Sequence, residues 1–121
     1  MRLSALEQIP LFAGRTPRRA IEDTVRLARG LEDSGYHRFW IAEHHNTSAF
    51  SSAPDLLMMH MLDATDRIRV GSGGIMAMHY GSLQIAERFA TLATLFPGRV
   101  DLGLGRAPGG DMLAARALNQ G

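Results

Sequence analysis

Four short apolar runs punctuate the chain, and their regular spacing constrains its fold more than any other feature. They are "RLSAL" (2–6), "HRFWIA" (37–42), "RIRVGSGGIM" (67–76) and "RVDLGLG" (99–105). Their starts lie roughly 30 to 35 residues apart, the length of one strand plus a crossover helix. Helix signals fill each gap. Thr16 then Pro17 reads as an N-cap followed by proline at the first helical position. Ile21, Val25, Ala28 and Leu31 recur at helical spacing, and Gly35 supplies the stop. Ser52 and Pro54 open a second helix, with Leu57, Met61 and Ala64 on one face. Ser82, read as an N-cap, opens a third, which carries Ile85, Phe89, Leu92 and Phe96 and ends at Pro97-Gly98. A fourth is expected from near Asp111 into the end of the chain. The order β-α-β-α-β-α-β-α predicts an α/β fold with parallel strands and right-handed crossovers. Two architectures accept it: an open doubly wound sheet, or part of a (β/α)8 TIM barrel.

No linker or low-complexity segment divides the 121 residues, so one domain is expected over 1–121. The formal net charge of +1 gives no field that would favour nucleic acid or an anionic membrane. All 13 basic side chains are Arg, for which coding bias is the plainer reading. Without Cys there is no disulfide framework and no thiolate chemistry. "MRLSALEQIPLF" lacks the long apolar core of a signal peptide, and no run is long enough to span a bilayer. A soluble, cytoplasmic protein is expected.

In both architectures ligands bind where the strands end. Glu7, Gln8 and Pro10 follow the first strand, and Glu43, His44, His45 and Asn46 the second. Gly73, Gly74, His79 and Tyr80 follow the third, and Arg106, Pro108, Gly109 and Gly110 the fourth. The opposite ends carry Arg2, Arg38, Arg67, Arg69 and Arg99, which read as a solvated rim. Adjacent strand residues point to opposite faces, so Glu43, His44 and His45 are ill placed to share one ion, and no metal is expected. A neutral imidazole suits acid–base work or a polar ligand contact; hydrogen bonding at the barrel rim is the plainer alternative. The glycines of "VGSGGIM" mark either a packing bulge or a close approach of a flat cofactor to the backbone. "GLGRAPGG" is no dinucleotide fingerprint, because Pro108 stands at the third glycine position. Arg106 suits a phosphate or faces solvent. Met58, Met59 and Met61, at helical spacing, read as core filler.

Taken together, "SALEQIP", "GYHRFWIAEHHNT", "IRVGSGGIMAMHY" and "LFPGRVDLGLGRAPG" closely resemble the luciferase-like flavin monooxygenases, in the alkanal-monooxygenase-like subgroup. The likeness runs in register from residue 3 to about residue 118. It implies a (β/α)8 barrel using reduced FMN, or in some branches the deazaflavin F420. It further implies a small organic substrate, O2, a separate flavin reductase and a homo- or heterodimer. Position by position, it makes His44 the histidine beside reacting flavin and substrate, with Glu43 and His45 in support. Gly73 and Gly74 match a non-proline cis peptide behind the flavin ring, Arg106 a residue near the flavin phosphate, and Leu6 a pocket wall. In "MAMHYGSL", Ala77, Met78 and Ser82 stand where the family pattern has Leu, Pro and Pro, which predicts a looser loop.

A complete barrel needs about 250 residues, and four βα units are half of one. The expectation is an N-terminal half-barrel with two open sheet edges. Such a chain would be marginal alone, or would pair with a second half-barrel. Four functional readings follow: one flank of an FMN-dependent monooxygenase, a non-catalytic half that at most binds flavin weakly or dimerises, an F420-dependent reductase of the same superfamily, and an open doubly wound binding domain of another class, whose strand order would switch about the first strand.

Overall fold

The computed structural model describes residues 1–119. Six short strands and four helices alternate along it: β1 (Ser4–Glu7), α1 (Pro17–Asp33), β2 (Arg38–Ile41), α2 (Pro54–Ala64), β3 (Arg69–Ser72), β4 (Ile75–Met76), α3 (Ser82–Leu95), β5 (Val100–Asp101), β6 (Leu104–Gly105) and α4 (Met112–Leu118). The reading of a helix through the last two positions falls outside the described residues. The third and fourth apolar runs each form two strands rather than one. Gly73 and Gly74, joined by a cis peptide bond, separate β3 from β4.

All pairings between the strands are parallel. The main sheet runs β1-β2-β3-β5, and β4-β6 pair beyond it. Because β4 and β6 continue β3 and β5, the four βα units lie side by side in chain order. A doubly wound sheet would switch direction about its first strand. Here β1 lies at an edge, so the order is that of successive barrel units.

The strands sort their side chains by parity. Phe39, Ile41 and Val70 point toward the helices and are wholly buried. They meet Ala20 and Ala28 of α1, Leu57, Met58, Met61 and Leu62 of α2, and Ile85, Phe89 and Leu92 of α3. Each large apolar side chain so buried contributes on the order of 1.5–3 kcal/mol. Met58 and Met61 are core filler as expected, whereas Met59 is 43% exposed. No described helix is long and apolar enough to cross a membrane.

The helix starts divide. Thr16 caps α1 by accepting from the Arg19 N–H at 3.2 Å, and Asp111 caps α4 by accepting from the Ala114 N–H at 2.8 Å. Gly35, at φ +82°, turns the chain out of α1. Neither Ser52 nor Ser82 is a cap. Ala53 holds that position for α2, and Gly81 holds it for α3. The Gln84 side chain reaches back to accept from the Gly81 N–H at 3.0 Å, which leaves Ser82 inside the first turn.

The arginines at the strand starts are only partly a solvated rim. Arg69 forks onto both oxygens of Asp101 at 2.8 Å, and Arg38 adds a 2.6 Å bond to the same carboxylate. Arg99 donates to the carbonyls of Leu62, Thr65 and Ile68 and to the Thr65 hydroxyl. Arg2 and Arg67 alone of the five are exposed. The patterning that marks a rim cannot distinguish an outward guanidinium from one folded back onto a carboxylate, since both begin at the same strand position.

Candidate active site at the strand tips

The strand parity that buries Phe39 turns Leu6 and Trp40 to the other, concave face. They are register partners on β1 and β2. Leu6 is 57% exposed. Trp40 lies beside bare backbone: a Cβ added at Gly71 would overlap its indole ring, and one at Gly73 would fall 3.0 Å from the Trp40 Cβ and 3.3 Å from the Leu6 Cδ1. A Cβ at Gly103 would collide with the Ser72 carbonyl oxygen. Gly71 and Gly103 are therefore required by packing. Gly73 is different, because it is exposed on the concave side. The guanidinium of Arg38 sits 5.0 Å from the Trp40 ring centroid and closes the lower end of this face.

Beyond β2 the chain enters the segment Ala42–His45. Glu43 has no exposed side-chain surface, yet three donors converge on it. The His45 Nε2 lies 2.5 Å from its Oε2, the Tyr80 hydroxyl donates to the same oxygen at 3.0 Å, and the Met76 N–H donates to Oε1 at 3.1 Å. A buried carboxylate is tolerable only when so satisfied. Burial pushes the Tyr80 hydroxyl above its ordinary range, and the neighbouring charge of Glu43 and the hydrogen bond to it add to the shift. The phenol accordingly stays a donor.

His45 is largely buried, its side chain 12% exposed, and packs edge to face on His79, with ring centroids 5.7 Å apart. The His79 Nε2 is 2.6 Å from the Pro108 carbonyl oxygen, and its Nδ1 is 3.0 Å from the Asn119 amide. His44 is partly exposed, and its backbone N–H donates to the Ser51 carbonyl at 3.1 Å. Its side chain makes no hydrogen bond among the described residues.

The loops around these tips are fixed to one another. The Glu7 carboxylate accepts from the N–H groups of Gln8 and Ile9, at 2.9 and 2.8 Å. Ile9 is wholly buried at φ +54°, a conformation a β-branched residue adopts only under constraint. Pro10 and Ala49 form an antiparallel bridge, and the Asn46 side chain donates to Asp111 at 2.8 Å.

Leu6, His44, Gly73, Gly74 and Arg106 thus all lie at one end of the sheet. Leu6 and Gly73 are neighbours through Trp40, and Gly74 abuts the backbone of Gly103 and Leu104. Arg106 follows β6, is exposed and makes no ion pair among the described residues. No group of three or more potential metal ligands occurs among them. The loop at 77–80 is tied down by Tyr80 on Glu43 and His79 on Pro108. These anchors stand in place of the fixed φ angles the sequence lacks there. One participant escapes a reading of the sequence: Trp40, whose usable signal is its alternation with buried Phe39 and Ile41. Tyr80 is legible as a residue past the third strand, but its bond to Glu43 is not, because the two meet across 37 positions of chain.

A sheet of consecutive parallel βα units, with a polar cluster at its strand tips, is the architecture of part of a (β/α)8 barrel. The family model for luciferase-like monooxygenases matches residues 1–117. The chain belongs to that family. It is 47% identical over 119 residues to an N-acetyl-S-alkylcysteine monooxygenase of Bacillus subtilis, covering 98% of this chain and 36% of that protein. The apo form of MsnO8 superposes with a TM-score of 0.92 at 42% identity, over 97% of this chain and 36% of the other. The oxygenating constituent of the 3,6-diketocamphane monooxygenase of Pseudomonas putida, solved in complex with FMN, shares the fold at TM-score 0.87 and 20% identity, over 99% of this chain and 33% of that one. The chain spans 36% and 35% of the length of the first two curated relatives it matches. The sheet is part of a (β/α)8 barrel.

Proposed function

We propose that residues 1–121 are the N-terminal half of a luciferase-like domain and form one flank of a flavin site. The complete barrel would be an FMN-dependent monooxygenase acting on a small organic substrate with O2. One observation carries the reading: Gly73 presents side-chain-free backbone on the concave face, bordered by Leu6 and Trp40, at the sheet end that also bears His44. A flat ring can approach such backbone closely, where any larger residue would hold it off. The residues present fit a flavin. Leu6, Trp40, Gly73 and Gly74 would contact the ring, and Arg106, exposed past β6, would meet a phosphate.

The bound flavin would supply the electrons that activate O2. This chain's own residues do the rest. Leu6 and Trp40 exclude water from the ring face. His44, with no competing hydrogen bond among the described residues, donates or accepts a proton beside it. Arg38, folded onto Asp101 and Trp40, keeps the floor closed. A flavin reductase would supply reduced cofactor, and the second half-barrel or a second copy would complete the pocket.

Titrating FMN into the chain, with and without the C-terminal half of a relative, tests this through quenching of flavin fluorescence. Quenching that is strong with the complement present is expected. Its absence in both arms would remove the flavin claim. F420 titrated in parallel decides the cofactor, and tighter binding of F420 would reassign the site to that branch. FMN binding without turnover in the completed barrel would leave a non-catalytic flavin-binding half.

A further inference from the structure

The buried Glu43 carboxylate does more than fill a polar hole. A carboxylate can only accept, so each group facing it must donate. Tyr80 and the Met76 N–H satisfy that requirement in any state. His45 satisfies it only if its proton sits on Nε2. The 2.5 Å contact therefore selects one of the two neutral forms of the ring. His79 is selected likewise, since Nε2 faces the Pro108 carbonyl and Nδ1 faces an amide donor. The difference lies in the second nitrogen. Both nitrogens of His79 are engaged, whereas Nδ1 of His45 has no partner among the described residues.

We propose that Glu43 is a positioning residue that holds His45 as the Nε2–H tautomer, leaving Nδ1 as a second proton-exchanging atom at the strand tips. The proposal rests on the reading of those tips as a ligand site. A proton taken at Nδ1 makes the ring an imidazolium facing the Glu43 carboxylate, and the proton leaves by the same nitrogen. No bond to carbon forms or breaks. The same carboxylate ties the β2 tip to the 76–80 turn, so one side chain sets both the tautomer and the turn that carries Tyr80.

The test uses the full chain with 15N-labelled histidine at pH about 8, above the ordinary imidazole range. Long-range proton–nitrogen correlation reads which ring nitrogen carries hydrogen. The expected pattern for His45 is a protonated Nε2 and a bare Nδ1. A bare Nε2, or two protonated nitrogens, would overturn the proposal. Glu43→Gln gives the sharper result. The Met76 N–H cannot reverse its direction, so the glutamine oxygen must face it, and the NH2 group then faces His45. The ring is expected to switch to Nδ1–H while His79 keeps its pattern; His45 unchanged would overturn the proposal. Should that variant not fold, Tyr80→Phe removes only the hydroxyl donor, and His45 is expected to stay Nε2–H. A switch in Tyr80→Phe would assign the control to Tyr80 instead. None of these readouts involves flavin, so their failure is distinct from a failure of fluorescence quenching.

Discussion

The two faces of the sheet follow different rules. On the helix side, Phe39, Ile41 and Val70 are wholly buried against apolar partners. On the concave side, the same strands present an exposed Leu6, a Trp40 laid along glycine backbone, and two arginines gripping Asp101. The helix side is chosen for packing. The concave side keeps the apolar Leu6 side chain open and places charge below it, which suits the flavin-flanking role proposed above.

Substitution separates the two faces. Phe39→Ala should cost about 3–5 kcal/mol in urea denaturation. Leu6→Ala, on an exposed side chain, should stay within about 0.5 kcal/mol while weakening FMN quenching. Equal costs would erase the distinction. Asp101→Asn comes next, at about 1.5–3 kcal/mol, because two guanidinium groups lose a charged acceptor. The Arg69 hydrogen bonds, joined by that of Arg38, outweigh burial and hold the Asp101 carboxyl below the usual carboxylate range. A depressed folded value means that this stabilisation is complete above the unfolded value of about 3.9 and is lost as pH falls through the folded one. The gap between wild type and Asp101→Asn should therefore close in acid, as a pH series of denaturation midpoints would register. Gly73→Val crowds Trp40 and Leu6 and should cost about 1 kcal/mol, with FMN quenching lost. His44→Ala should have the smallest effect on stability, within about 0.5 kcal/mol. In the completed barrel it should lower turnover by about 10²–10⁴-fold; unchanged turnover would remove His44 from the chemistry.

What the sequence discloses tracks how local the cause is. Thr16, Gly35 and Asp111 act within a few positions of themselves, and the 30-residue rhythm needs only counting. Gly73 and Gly74 stand out because glycine inside an apolar run is costly. The satisfaction of Glu43 depends on Tyr80 and Met76, which arrive only when the 76–80 turn folds against the segment after β2. Arg38 and Arg69 meet Asp101 across 63 and 32 positions. Distances of that kind are set by the sheet, and no periodicity records them. Ser82 shows the reverse error: the right residue type for a cap, one position past where the cap falls.

Arg99 carries one more consequence. The carbonyls of Leu62, Thr65 and Ile68, at the junction from α2 into β3, are answered by a guanidinium encoded more than thirty codons downstream. During synthesis that junction leaves the ribosome unlatched, and only translation of the fourth unit supplies the key. Three diverging carbonyls also call for a rigid fork, so a single-nitrogen lysine at 99 would leave part of the lock open.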